Sequence, residues 1–461
     1  MTTATAKSTA MGRANGARLR ARRVGMLVAA LGALGALGGC AVYSPQPLPR
    51  HDDLAAHLTA QQPAPLDMNA VATLAVLNNP DLRTARAKLG VAAAQAFAAG
   101  ILPDPQFNYS ADHPTDRVGP TDYRAPLFNA YGYGLSVDLQ ALLTYRSRRS
   151  AAHAAFRQAR AYLLWEEWQT VAQARTLFVM QSIADERRAF LAPATRVYAA
   201  AAARSARALA EQNITLDQAG ADLDLETAVA TQLGVAERGA LLAAAGLHTL
   251  LGIRPDVSVT LATLGAPVVP TRSTVRAALA RLPRTRPDLR ALQAGYRSEE
   301  AQLRVAVLSQ FPNIVVGFAR ARDTSNVHTT GFTVALTLPI FDRGRGNIAI
   351  QRATRTQLRA DYLARLDQAT GAGWQLWREM RELDAENRAL DGRLPQLRAS
   401  ALAAERAFRA GNFPVGSYLA AVSAYLGARG THLDLLQNLW ADSIAFAAIT
   451  GSQVQPVYKA S

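Results

Sequence analysis

Between Gly134 and Gly220 the chain carries no glycine, and Pro193 is its only proline there. Ala, Leu, Gln, Arg and Glu fill the stretch, residues that lose little freedom on entering a helix. The pattern predicts a helix over about 146–210, and ~65 residues rise on the order of 100 Å. No globular domain is that long. Such a helix has to pack along its length against other helices, as in a coiled coil. A second stretch of the same kind spans about 346–410.

That recurrence is part of an internal repeat. Asn79-Pro80-Asp81-Leu82-Arg83 matches Arg286-Pro287-Asp288-Leu289-Arg290, and Gln95 matches Gln302, all at an offset of 207. Leu102-Pro103 matches Phe311-Pro312, and Tyr131-Gly132-Tyr133 matches Thr330-Gly331-Phe332. Arg146 answers to Arg345, and Pro193 to Pro395. No single match is specific, but all six fall in the same order. Each half reads as a short helix (67–78, 272–282), a second helix opened by Pro80 or Pro287, and two strands. Proline suits the first helical position because its missing N–H costs nothing there. The strands are placed at about 105–112 and 130–139, then 313–321 and 330–339. The long helix and a further helix (217–251, 417–449) complete each half. The expected division is a first repeat over 67–252, a linker over 253–271 and a second repeat over 272–461.

The N-terminus has another character. Residues 1–39 carry Lys7, Arg13, Arg18, Arg20, Arg22 and Arg23, no acid, and an uncharged run from Val24 to Gly39. A basic segment followed by an apolar one reads as an export signal. The run is short and glycine-rich for a membrane anchor. It ends in Leu37-Gly38-Gly39-Cys40, which resembles a bacterial lipobox. That resemblance implies removal of 1–39 and acylation of Cys40, and with Ala41 in place of an acid it implies sorting to the outer membrane. Residues 40–66 are Pro-rich and read as an extended tether. The formal net charge of +15 hints at a nucleic-acid partner. Without residues 1–39, however, 44 basic residues face 35 acidic ones, which makes no case for nucleic acid.

The strands alternate. Tyr131, Tyr133, Leu135, Val137 and Leu139 share one face, and Gly132, Gly134, Ser136 and Asp138 share the other. Phe332, Val334, Leu336 and Leu338 alternate likewise with Gly331, Thr333, Ala335 and Thr337. The period fits a membrane strand, apolar to lipid and polar to the lumen, and equally a soluble sheet covered on one face. Four strands decide against standing alone in lipid, because an open edge leaves backbone groups unpaired there and known barrels begin at about eight strands. Two chains would leave little room inside. Three chains would pool twelve strands and gather the long helices into a ring. The fold expected is therefore mainly α with a small β part. It is a periplasmic α-barrel of long helices plus four strands per chain in a shared 12-stranded outer-membrane β-barrel.

The Arg286–Arg290 segment, Gln302, Phe311-Pro312-Asn313-Ile314 and Leu338-Pro339-Ile340-Phe341-Asp342-Arg343-Gly344-Arg345 resemble signatures of the TolC-like outer-membrane efflux family. With the lipobox, the chain resembles the lipoprotein branch, the outer-membrane factors of resistance–nodulation–division pumps. The resemblance implies a homotrimer anchored in outer-membrane lipid and docked to a periplasmic adaptor (membrane fusion protein) and an inner-membrane pump. It implies passive conduction of drugs, other small molecules or metal ions, and no cofactor beyond the lipid on Cys40. It places a periplasmic gate at the turns Glu211–Asp217 and Gly411–Leu419, taken at an offset of 200, with Asp217, Asn213, Phe413 and Ser417 lining it. Asp217 also fits an N-cap. Ser417 and Ala420 stand where the family often has acids, so an acidic ring from the second turn is not expected.

Three other readings compete. A type I secretion duct keeps the tube and changes the machine, and a non-channel coiled-coil lipoprotein spacer drops the strands' role. An enzyme would need a site, and the seven histidines form no His-x-x-x-His or His-Glu-x-x-His pair. His51, Asp52, Asp53 and His57 lie in the Pro-rich stretch and read as solvated.

Overall fold

The structure is a computed structural model that describes residues 43–56, 65–115, 127–453 and 456–457. The expected signal, Cys40 and His57 lie outside the described residues. The chain divides into two units, Met1–Asp53 and Leu54–Ser461. Of the first, residues 43–53 are exposed and carry no helix or strand.

The second unit runs α1 (Met68–Asn78), α2 (Pro80–Ala98), β1 (Gln106–Asp112), β2 (Ala130–Asp138), α3 (Leu139–Ala210) and α4 (Leu216–Leu251). It continues with β3 (Ala266–Pro267), α5 (Arg272–Thr285), α6 (Pro287–Leu308), β4 (Asn313–Arg322) and β5 (His328–Thr337). Last come α7 (Arg345–Arg409), α8 (Val415–Thr450) and β6 (Pro456–Val457), which pairs with β3. The order helix, helix, strand, strand, long helix, helix thus occurs twice.

The long helix α3 has 72 residues, about 110 Å of rise, and begins directly where β2 ends. The sequence pattern ends the strand at about 139 and starts the helix at about 146, leaving 140–145 unassigned. The Asp138 carboxylate instead accepts from the Ala141 N–H at 2.9 Å and starts the helix there. Both α3 and α7 run through their internal prolines, Pro193 and Pro395. Their partners α4 and α8 fold back along them, and both end on a left-handed glycine, Gly252 (φ 60°) and Gly451 (φ 73°).

Three apolar clusters hold the helices. The largest gathers Val71, Leu74, Phe178, Ile183, Leu247, Leu251 and Trp440 from α1, α3, α4 and α8. A second collects Val275, Leu282, Leu289, Trp377, Met380 and Phe446 from α5 to α8. The third lies near the far turns (Leu191, Tyr198, Val229, Tyr418, Leu419). Two indoles fasten the connecting segment: Trp440 Nε1 donates to Gly265 O and Trp377 Nε1 to Pro270 O, each at 2.9 Å. The same segment pairs with residues that the sequence reading placed in the tether. Ala55 bridges Ile253, Leu66 bridges Leu261, and Leu66 is buried. Ion pairs Glu186–Arg429 and Arg187–Asp434 join α3 to α8 across the two halves.

One carboxylate in this packing is poorly placed. Asp442 of α8 has an oxygen buried without a hydrogen-bond partner, and burial, then Glu379, push its pKa from 3.8 up to about 6. Such a raised value supports the fold below pH ~4 and that support is lost as pH climbs through about 6. Asp442→Asn should therefore raise Tm at pH 7.5 and leave it unchanged near pH 3.5. Thermal unfolding of wild type and variant at both pH values checks this, and an equal shift at both would refute it.

Candidate channel wall and periplasmic tip

The four main strands form one antiparallel sheet in the order β1-β2-β4-β5. Its registers sort the side chains onto two faces. Phe107 faces Leu135, Leu135 faces Phe318, and Phe318 faces Phe332, so one row crosses all four strands with aromatic or aliphatic groups. Val137, Val316 and Val334 form the next row. The other face carries Asn108, Ser110, Gly132, Gly134, Ser136, Gly317, Ala319, Thr333 and Ala335. The apolar face is exposed, up to 88% at Phe332, with an edge-to-face contact to Phe318 at 5.7 Å. A sheet that shows such a face to solvent has no cover of its own, which is the patterning of a lipid-facing wall.

The opposite face is small because the strands crowd there. A Cβ on Gly317 would meet Leu135 O at 2.9 Å and Thr333 Oγ1 at 2.7 Å, and one on Gly134 would meet Phe318 O at 2.9 Å. Away from the helices, Arg320 and Arg322 take over the apolar face opposite Tyr133 and Tyr131. The Arg322 guanidinium lies 5.1 Å from the Tyr131 ring and 5.5 Å from Phe128. Tyrosine and arginine at the end of an apolar band mark a water interface. At the helix end the band closes with exposed Phe97, Leu102, Phe311, Leu338, Ile340 and Phe341.

Beyond the sheet each helix continues its own strand. Helix α2 leads to β1, β2 to α3, α6 to β4 and β5 to α7, and the packing α2 on α3, α3 on α6, α6 on α7 repeats the strand order. The sheet's two edges, β1 and β5, pair with nothing on their outer sides among the described residues.

At the far end the two turns share one geometry. After α3, the Gln212 N–H donates to Leu209 O (3.0 Å) and the Asn213 N–H to Ala208 O (2.8 Å). After α7, Gly411 N–H donates to Phe408 O and Asn412 N–H to Ala407 O, both 3.0 Å. These are the paired bonds of a Schellman cap, with Gln212 (φ 60°) and Gly411 (φ 75°) in the left-handed position. They align the turns at an offset of 199, one less than the sequence reading. Asn213 thus matches Asn412, Phe413 matches Ile214, and Asp217 matches Gly416.

All four expected tip residues are exposed. Asn213 donates through Nδ2 to Glu211 Oε2 at 3.0 Å. Asp217 sits in the first turn of α4, where it complements the helix dipole, but the N-cap is Thr215, in a capping box with Gln218. Phe413 is 37% exposed, and Ser417 lies in the first turn of α8. Behind the turns a set of residues that sequence reasoning missed ties the two hairpins together. Phe408 stacks on Tyr418 at 5.2 Å, the Arg204 guanidinium lies 5.7 Å over Phe408, and Tyr198 Oη donates to Leu419 O at 2.9 Å. Burial is the first cause holding both phenols neutral, Tyr198 up to about 12 and Tyr418 raised, with Glu405 adding to the latter. The only sequence signal was an aromatic on either side of the second turn.

The strand order and the helices that continue each strand define the fold: a four-stranded antiparallel sheet with an exposed apolar face, set at one end of two long helical hairpins. Residues 278–452 match the family model described as outer membrane efflux protein. Solved structures share the fold. CusC, described with transmembrane channel formation, aligns at TM-score 0.66 and 17% identity, over 90% of this chain and 100% of that one. The outer-membrane channel OprN aligns at 0.69 and 18%, over 89% and 99%. The CmeC outer membrane channel of Campylobacter jejuni aligns at 0.67 and 16%, over 83% and 85%. No curated protein matches the sequence. Residues 278–452 thus resemble the outer membrane efflux protein family, and the chain as a whole shares the fold of these solved channels.

Proposed function

We propose that the chain is the exit duct of a tripartite efflux system, a homotrimer of the lipoprotein branch anchored through an acylated Cys40. The carrying observation is the open four-stranded sheet, with an exposed apolar face, a face of small and polar residues, and edge strands that among the described residues have no partner on their outer sides. Pairing β1 of one copy with β5 of the next satisfies both edges, and three copies close twelve strands around a lumen. The helices below then form one tube that ends at the paired turns. Conduction is passive on this reading, and energy comes from an inner-membrane pump reached through a periplasmic adaptor. Substrates would be drugs, other small molecules or metal ions.

The turns are the proposed gate, with Asp217 and Asn213 from one hairpin and Phe413 and Ser417 from the other. Aromatic stacking and the Tyr198 bond give the hairpin pair a defined packing that adaptor docking would have to shift. Single-channel recording of purified protein tests both parts. Wild type should conduct, and Asp217→Ala should raise spontaneous opening. If Asp217 serves only the helix dipole, the variant loses about 0.3–1 kcal/mol of local stability and its conductance stays unchanged. Absence of any pore, with the protein extracting as a lipid-anchored monomer, would instead favour the spacer. A deletion strain sensitive to small molecules argues for efflux, and one defective only in protein export argues for type I secretion.

A further inference from the structure

We propose that the membrane-proximal ends of α3 and α7 form an arginine collar that binds the anionic phospholipid headgroups of the leaflet on the helix side. This rests on the outer-membrane reading above. The signal is the charge that the export segment did not explain. Residues 139–165 carry Arg146, Arg148, Arg149, Arg157 and Arg160 and no acid. Residues 343–360 carry Arg343, Arg345, Arg352, Arg355 and Arg359 and no acid. Without these ten and without residues 1–39, 34 basic residues face 35 acidic ones, so the whole positive excess sits in two segments. The first begins where β2 ends at Asp138, and the second begins at Arg343, after the short link that follows β5.

Their place on the helix continues the lipid-facing wall. The apolar row of β2 runs Tyr131, Tyr133, Leu135, Val137 and then Leu139, the first residue of α3. Exposed Leu139, Leu142 and Leu143 are followed at helical spacing by Arg146, Arg149, His153, Arg157 and Arg160, so one stripe passes from aliphatic to cationic. On α7, Arg345, Arg352 and Arg359 recur every seven residues on one face beneath Phe341, which is 88% exposed. Arg146 lies about 5 Å of helix rise below Leu143, the depth at which a headgroup begins.

Not all ten are available. Arg148 donates to Ala141 O at 2.6 Å, Arg345 to Asp342 O at 3.1 Å, and Arg355 pairs with Glu300 at 3.3 Å. Among the described residues the other seven form no ion pair with a carboxylate. A phosphodiester is the anion that a membrane surface offers at this level, and guanidinium binds it bidentately. Each arginine close to an anionic surface strengthens attraction roughly fivefold, less at high salt.

The test uses the full-length protein exchanged into micelles with equal phosphatidylglycerol and phosphatidylcholine, followed by quantification of the lipid that co-purifies. Wild type should retain phosphatidylglycerol over phosphatidylcholine by about tenfold or more at low salt. The variant Arg146→Gln/Arg149→Gln/Arg343→Gln/Arg352→Gln should fall toward parity, and the corresponding four-lysine variant should keep most of the preference. A glutamine variant that retains phosphatidylglycerol like wild type overturns the collar. So does a glutamine variant that changes the reversal potential in a salt gradient, because the arginines would then line the lumen. A wild type that makes no pore sinks the outer-membrane reading itself. A conducting wild type without lipid preference sinks the collar alone.

Discussion

Gly317→Val should abolish assembly of the proposed barrel while leaving the helices folded. Gly317 sits on the small-residue face of β4, opposite Ser136 of β2 and Thr333 of β5. A Cβ there would stand 2.9 Å from Leu135 O and 3.1 Å from the Ser136 Cβ. The Thr333 hydroxyl at 2.7 Å can rotate away, but the Leu135 carbonyl belongs to the β2 backbone and moves only with the ladder. Overpacking of this kind costs ~1–3 kcal/mol per copy, and in the proposed trimer three copies would bring about 3–9 kcal/mol to bear on one assembly. Valine adds two methyls to that first clash. Gly317→Ala should give an intermediate yield, and Gly331→Ala should be the milder change, because within the chain a Cβ at that position of the same face meets nothing within 4 Å. The measurements are the yield of heat-stable oligomer from outer membranes and single-channel conductance, with far-UV circular dichroism of the detergent-extracted protein as the check on the helices. A Gly317→Val protein that assembles and conducts like wild type would show that β2 and β4 do not approach as described.

The crowding that makes Gly317 sensitive could not be read from the sequence, although the strand itself could. Alternation placed Phe332, Val334 and Leu336 on one face and Gly331, Thr333 and Ala335 on the other because strand geometry has a fixed period of two. Which glycine is indispensable depends on which backbone lies across from it, and that pairing, Gly317 with Ser136, joins residues 181 apart. The long helices were legible for a similar local reason, since glycine is absent between 134 and 220 and helix formers dominate. Their start was not, because Leu139, Leu142 and Leu143 suit a strand tail as well as a first helical turn, and only the Asp138 cap decides. At the tip the sequence located both turns but set them one residue out of register. The deciding bonds run from the Asn213 and Asn412 amides to carbonyls five residues back, and such backbone bonds carry no side-chain signature. Thr215 outranked Asp217 as the cap because its Gln218 completes the reciprocal pair. The bridges of Ala55 and Leu66 to the connecting segment are non-local and left no pattern in the Pro-rich stretch.

The second large effect is expected at Arg286. The sequence reading saw Arg286-Pro287-Asp288 as a helix start, matched to Asn79-Pro80-Asp81 in the first half. Both are helix starts, but they are held differently. Asn79 is buried, caps Leu82 N–H at 2.9 Å and donates through Nδ2 to Leu250 O at 3.1 Å. Arg286 makes no side-chain cap. Its Nε and Nη2 reach the two carboxylate oxygens of Asp288 at 2.7 and 3.0 Å, and both residues are buried. The guanidinium also lies 4.9 Å over the ring of Trp165 on α3, so the pair pins the α5–α6 corner to the long helix. The pair itself need not add much stability, since desolvating two charges offsets most of their attraction. Removing one partner is a different matter. Arg286→Ala leaves the Asp288 carboxylate buried without its countercharge and should cost about 3–5 kcal/mol. Arg286→Met/Asp288→Leu, which removes both charges and keeps the volume, should recover most of that loss, because no buried charge is left unpaired. Arg286→Lys should fall between them, as an ammonium cannot bind both oxygens and lie flat on Trp165 at once. Denaturant unfolding of the detergent-solubilised proteins orders the series. If the double variant were as unstable as Arg286→Ala, the loss would come from packing on Trp165 and not from the stranded carboxylate.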